Sequence, residues 1–293
     1  MVPAAFAGVV LIWATTPVAI KWSSEGAGFL FGVSSRMVLG AMVCAVLLAM
    51  LGRRLSWHHA AFRTYIVAGL GLWAAMTSVY WAARFIPSGL ISVIFGLTPL
   101  VTGVMSLVWL DERPFTTARV TGMVLGVAGL ALIFGRNFSL ASNAGWGILA
   151  MVLAVMVHSA SAVWVKRIDA RLGALETTTG ALIVAVPLYC ASWWVFDGVV
   201  PTGLAPRAFW SIVYLAVFGS ALGFIMYFHV LQHVSPSRVA LITLVTPILA
   251  LLLGQWVNDE TVGPLEWAGT AVILGGLALY HWGGPQSMLR GRA

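Results

Sequence analysis

Charged side chains are so sparse in this sequence that the gaps between them dictate what it can fold into. Charge-free stretches run 1–20, 37–52, 64–83, 85–110, 120–135, 137–165, 177–196, 208–237, 239–258 and 267–289. Each is close to the roughly 20 apolar residues that a helix needs to cross a bilayer. The two shortest can extend past a flanking arginine, Arg36 or Arg119, whose long stem can snorkel toward headgroups. Of the 293 residues only 9% are charged and 60% are hydrophobic, whereas a soluble domain carries about 25% charged residues to solvate its surface. The medium is therefore lipid. Strands of a membrane barrel would alternate in polarity over about 10 residues, and Ala41 to Leu51 does not alternate. The expectation is an all-α integral membrane protein of ten transmembrane helices, with no soluble domain. Cys44 and Cys190 sit in apolar runs and read as small core residues rather than a disulfide. Met1 to Ile20 lacks a basic leading segment, so the first helix is expected to stay in place as a signal anchor.

Lysine and arginine placement gives the orientation, because cytoplasmic loops collect them. With the N-terminus inside, the inner loops and tail hold Arg53, Arg54, Arg63, Arg113, Arg119, Lys166, Arg167, Arg171, Arg238, Arg290 and Arg292. The outer loops hold only Lys21, Arg84, Arg136 and Arg207. Both termini are therefore expected in the cytoplasm. The formal net charge of +7 then faces anionic lipid on that side. Nucleic-acid binding would need a clustered basic surface on a folded domain, and no such domain is present.

The chain also repeats itself. Thr98-Pro99 with Asp111-Glu112 recurs as Thr246-Pro247 with Asp259-Glu260, at an offset of 148. Pro87-Ser88 recurs as Pro236-Ser237, and Gly129-Leu130-Ala131-Leu132 as Gly276-Leu277-Ala278-Leu279. Trp13 precedes Lys21 by eight residues, as His158 precedes Lys166. Residues 1–136 and 137–293 are thus expected to be two five-helix repeats. An odd helix count inverts the second relative to the first, and inverted repeats around a central cavity are characteristic of secondary transporters.

These residues resemble those of the EamA-type members of the drug/metabolite transporter superfamily. The likeness is carried by both TP-x(11)-DE segments, each leading into a glycine-rich last helix. It extends to Trp13-Ala14, Arg36 and the Ala83-Arg84-Phe85-Ile86-Pro87-Ser88 segment before the fourth helix. It implies ten helices, a central cavity and export of small metabolites, with bacterial exporters of aromatic amino acids as the nearest likeness. His158 departs from the family pattern, which commonly has tryptophan there.

Within the spans, Pro17, Pro99 and Pro247 are expected to kink their helices and to free the carbonyls of Trp13, Phe95 and Thr243. In hydrocarbon such carbonyls must face protein or a watered cavity. Helical spacing groups Trp73, Thr77 and Tyr80 on one face, Ser92, Gly96, Pro99 and Gly103 on another, His158 with Ser161, and Gly219 and Gly223 with Tyr227. The candidate cavity lining is therefore Trp13, Thr16, Trp73, Thr77, Tyr80, Ser92, Phe95, His158, Ser161, Tyr227 and Thr243. Aromatic walls with a few polar tips suit a small-molecule pocket. Trp193, Trp194, Trp210, Trp256 and Trp282 lie near helix ends and read as interfacial belt residues.

All nine acidic residues fall in loops or at helix ends, so a carboxylate proton relay is not expected. Any coupling proton would have to be carried by His158 or, second, His229. Clustered metal ligands are absent, so no metal and no cofactor is expected. Arg36, the one full charge well inside a span, is expected to snorkel or to form a structural tie, with a substrate carboxylate as the alternative partner. The Gly122-x-x-x-Gly126 face with Gly129, and Gly269, Gly275 and Gly276, suit close helix contact, within the chain or in a dimer.

The function read from these features is a secondary transporter exporting small metabolites, foremost neutral or aromatic amino acids, by alternating access. The alternative is a broad drug/metabolite exporter or an organic-phosphate carrier of the same fold; the latter would want lysine or arginine in the central cavity. An intramembrane enzyme would need carboxylate pairs, metal ligands or a serine–histidine arrangement, and an ATP-driven pump a GxxxxGK[ST] loop. The expected partners are a small-molecule substrate and membrane lipid. The expected state is a monomer, with a homodimer as the alternative, in a bacterial-type inner membrane.

Overall fold

A chain with so few polar side chains must pair its backbone amides and carbonyls within itself, and helices do this segment by segment. The computed structural model describes residues 2–110, 116–134, 143–234, 239 and 242–282, with the side chains of a few helix residues, Thr243 among them, outside that description. All regular structure in the described residues is helical. The elements are α1 (Val2–Ser23), α2 (Phe29–Met50), α3 (His59–Ala82), α4 (Ser88–Phe95), α5 (Thr98–Leu110) and α6 (Thr117–Phe134). The second half supplies α7 (Ala144–Ile168), α8 (Ala174–Phe196), α9 (Pro206–Tyr214), a π-helical segment (Leu215–Leu222), α10 (Gly223–His233), α11 (Ile242–Asn258) and α12 (Pro264–Trp282). Among the described residues, seven helical stretches are long and apolar enough to cross a membrane, with Ser88–Leu110 counted as one, and Val120–Gly129 is a shorter apolar helix. Of the repeated motifs, Asp111-Glu112 and Pro236-Ser237 lie outside the described residues.

Pro99 does not kink a continuous helix. The chain breaks between Phe95 and Thr98, and Pro99 occupies the first turn of α5, where a missing amide costs nothing. The Thr98 hydroxyl donates to the Phe95 carbonyl at 2.5 Å. Pro17 and Pro247 do lie inside α1 and α11, as does Pro187 inside α8.

Glycine faces let helices close on each other. A Cβ on Gly276 would stand 2.6 Å from the Gly122 carbonyl oxygen, and one on Gly129 would stand 2.6 Å from that of Gly269. Both small-residue faces are thus engaged by α6 against α12 in the same chain.

One end of the bundle is tied by Glu260. Asp259 adopts a left-handed conformation (φ 49°), which aspartate tolerates better than most residues. The Glu260 amide returns to the Gly254 carbonyl at 3.0 Å. That turn lays the Glu260 carboxylate on the start of α4, where it accepts from the Ser88 amide (3.0 Å), the Ser88 hydroxyl (2.8 Å) and the Gly89 amide (3.3 Å). It also meets the Lys21 ammonium at 3.2 Å and the Asn258 side-chain amide at 2.8 Å, while the Trp22 indole donates to Asn258 at 2.7 Å. The ends of α1 and α11 and the start of α4 thereby share one carboxylate. Burial alone would raise its pKa. The Ser88 amide, the Lys21 charge, the Ser88 hydroxyl and Asn258 outweigh burial and hold Glu260 below the usual carboxylate range.

Candidate functional site

A cavity of about 90 Å³ lies among seven helices, four from the first half of the chain and three from the second. From α1 it takes Trp13, Thr16, Pro17 and Ile20; from α4, Ile91, Ser92 and Phe95; from α7, His158, Ser161 and Ala162. Phe224, Tyr227 and Phe228 of α10 and Thr246 of α11 complete one side, and Arg36 of α2 the other. The wall contributed by α3 is made of Ala68, Gly71, Leu72, Ala75, Met76 and Val79.

Four rings converge in it. Trp13 stacks on Tyr227 with centroids 5.3 Å apart and 29° between planes. His158 stands edge-on to Trp13 (6.0 Å) and to Phe95 (5.6 Å), and 5.3 Å from Tyr227. One turn before Tyr227, Gly223 allows a close backbone approach within the π-helical region: a Cβ there would stand 2.9 Å from the Phe218 carbonyl oxygen. Two lining hydroxyls are engaged, Thr16 with the Ile12 carbonyl at 2.8 Å and Ser161 with the Val67 carbonyl at 3.2 Å.

The other candidates lie elsewhere. Trp73 and Thr77 line a separate hollow of about 580 Å³ with Ser24, Arg84, Ser192 and Asp197, and the Trp73 indole donates to Ser192 at 3.1 Å. Their face of α3 turns toward α8, while Gly71 and Ala75 lie on the face that borders the central cavity, with Gly71 packed directly against Ser161 of α7. Tyr80 is fully buried beside the central cavity rather than lining it, with its hydroxyl 3.2 Å from that of Ser23. The Thr243 side chain lies outside the described residues, while its neighbour Thr246 does line the cavity. His229 does not line it; its ring lies 4.4 Å from that of His233, in the last turns of α10. The belt assignment fits Trp194, Trp210 and Trp256, which are exposed.

Of the two roles expected for Arg36 the structure shows the tie, and a second charge, Glu260, is buried as well. Arg36 does not snorkel: it is 1% exposed, lines the central cavity, and donates from Nε to the Ser220 hydroxyl at 2.8 Å. The cavity therefore does hold one basic residue. Glu260, although in a loop, is no solvated carboxylate, its side chain being only 7% exposed. The sequence carried no cue for the π-helical segment that supplies Ser220. Such segments are rare and concentrate at functional sites.

A polytopic helical membrane protein with a mid-bundle cavity, tied at one end and walled by both halves of the chain, is the class that this architecture defines. The EamA-like transporter family matches residues 3–135 and 145–282, and the chain belongs to that family. It is a membrane transporter of two EamA repeats. Similar proteins include the "Uncharacterized transporter YoaV" of Bacillus subtilis, 24% identical over 92% of this chain and 91% of that one. The inner membrane transporter YedA of Escherichia coli K12 is 26% identical over 93% and 88%. A "Probable terminal-alkyne amino-acid exporter" of Streptantibioticus cattleyicolor is 25% identical over 93% and 90%. A solved crystal structure shares the fold with TM-score 0.74 at 20% identity, covering 96% of this chain and 97% of that one.

Proposed function

We propose that the protein exports neutral aromatic amino acids through the central cavity by alternating access. In this reading residues 1–136 and 137–293 form two inverted five-helix repeats, and both termini face the cytoplasm of a bacterial-type inner membrane. The observation that carries it is the convergence of Trp13, Phe95, His158 and Tyr227, from four helices of both halves, on one cavity. Aromatic faces bind flat apolar groups by stacking and desolvation. A relative bears the name of an amino-acid exporter, which supports the cargo class.

In the proposed topology Lys21, Ser88 and Glu260 lie at the outer end. Their shared carboxylate is then the outer closure, which must release for export. One guanidinium and no lysine in the cavity suit a single carboxylate better than a dianionic phosphate. The test is counterflow in proteoliposomes loaded with unlabelled phenylalanine, with labelled phenylalanine, tryptophan, leucine and glutamate outside. Uptake of the aromatic pair above the others supports the reading, and equal uptake of all four or of none refutes it.

A further inference from the structure

Arg36 is the bulkiest fully buried side chain among the described residues, and its charge is only partly accounted for. Its Nε donates to Ser220 Oγ at 2.8 Å and its guanidinium carbon lies 5.9 Å from the centre of the Tyr80 ring. Its Nη1 is buried with no hydrogen-bond partner. None of the seven described acidic residues lines the cavity into which Arg36 faces. A buried charge without a counter-charge is a liability that a fold retains for use.

The surroundings are shaped to the guanidinium. The π-helical segment places Gly219 and Ser220 against it, and a Cβ on Gly219 would stand 3.1 Å from Nη2. With Nε bonded to Ser220 and Nη2 packed against Gly219, Nη1 is the group left without an acceptor, a donor of the kind that a carboxylate pairs with. Ser220 and Tyr227 are seven residues apart, a rise of roughly 10 Å along the helix. The charged end and the ring end of the cavity are therefore separated by about the length of a small aromatic acid.

We propose that Arg36, held by Ser220, is a carboxylate subsite, and that the cargo is an apolar or aromatic body recognised through its carboxylate rather than its ammonium. The subsite rests on the reading of this cavity as the substrate site. An ammonium group finds no carboxylate among the described lining residues, and meets instead the stacked ring faces and neutral hydroxyls such as that of Ser92.

The probes are 3-phenylpropionate, which keeps the carboxylate and lacks the ammonium, and phenethylamine, which does the reverse. Thermal melting of the purified full-length protein reads binding without transport, since a ligand of the folded state raises Tm by mass action. The acid should raise the wild-type Tm and the amine should not. Arg36→Met should weaken the response to the acid at least about thirtyfold, while its unliganded Tm equals or exceeds that of the wild type, because an unpaired buried charge is gone. If Arg36→Met does not fold, Arg36→Lys, which keeps a point charge without the fork, should bind the acid more weakly than wild type. A wild type that ignores the acid, an amine that stabilises equally, or a variant that keeps the full acid response each overturns the proposal. An Arg36-dependent acid response without phenylalanine counterflow would sink the amino-acid reading and leave the subsite standing. Phenylalanine counterflow unaltered in Arg36→Met would do the opposite.

Discussion

Trp13 and His158 stand 145 positions apart in the chain and meet edge-to-face, with ring centroids 6.0 Å apart. Each lies eight residues before a lysine, Lys21 or Lys166, that sits two residues from the end of its helix. Equivalent places in the two halves of the sequence are thus neighbours across the cavity. Tyr227 touches both rings, so the cluster joins α1, α7 and α10.

Removing rings from this cluster should cost transport more than stability. Trp13→Ala and Tyr227→Ala are expected to reduce aromatic amino-acid counterflow at least about tenfold, as hot-spot aromatics do on truncation, with protein still monodisperse in detergent. Tyr227→Phe, which keeps the stack, should lose much less. Unchanged counterflow in both alanine variants would remove the cluster from the site.

His158→Gln is expected to keep counterflow and to leave its pH profile like that of the wild type. The imidazole is surrounded by Trp13, Phe95 and Tyr227, and no described carboxylate lines the cavity to relay a proton. The measurement is counterflow from pH 5.5 to 8, with and without an imposed pH gradient. Gradient-driven accumulation in the wild type that disappears in the variant would make His158 the proton carrier.

Glu260 makes a prediction with a definite sign. Its lowered pKa means that its stabilisation is fully present above the ordinary carboxylate pKa and is lost as pH falls through the lowered value. Glu260→Gln should therefore melt at lower temperature than wild type at neutral pH, by a loss of about 1–3 kcal/mol, and the two curves should converge in acid. Melting scans across pH check this. Parallel curves would show that the charge is not what ties α1, α4 and α11.

The α6–α12 contact should be sensitive to a single added side chain. Gly276→Val places a Cβ 2.6 Å from the Gly122 carbonyl and is expected to cost about 1–3 kcal/mol through overpacking. Gly275→Ala, where a Cβ meets nothing within 4 Å, is the control and should be neutral or slightly stabilising. Equal melting temperatures for the two would contradict the packing.

Much of this organisation is legible in the sequence because it is set by local composition. Charge gaps delimit α1, α2, α3, α7 and α8, and the shared eight-residue spacing to a lysine pairs Trp13 with His158. The face of α3 was not legible, since Trp73–Thr77–Tyr80 and Gly71–Ala75 both satisfy helical periodicity. Tertiary packing decides between them: Gly71 and Ala75 border the central cavity together with Leu72 and Met76, while Trp73 reaches Ser192 of α8 beside the second hollow. The partners of Arg36 and Glu260 were not legible for a shared reason. Those partners, Ser220 and Ser88, lie 184 and 172 positions away, and only tertiary structure brings them within reach.

Orientation can be checked independently of cargo. With both termini cytoplasmic, a cysteine placed at Trp57, an exposed residue between α2 and α3, should resist an impermeant maleimide added from the periplasmic side and react in inverted vesicles. Labelling from the periplasmic side would reverse the topology.

The most direct test of the central claim is cysteine accessibility at Thr16, a cavity residue of α1 one turn beyond Trp13. In a background with Cys44 and Cys190 replaced, Thr16→Cys is labelled with a small impermeant thiol reagent in right-side-out and in inverted vesicles, with and without phenylalanine. The expected result is labelling from both sides, slowed by phenylalanine on each, with Glu260→Gln increasing the rate from the outer side. Labelling from one side only in a variant that still transports, or rates that phenylalanine does not change, would contradict an alternating-access site in this cavity.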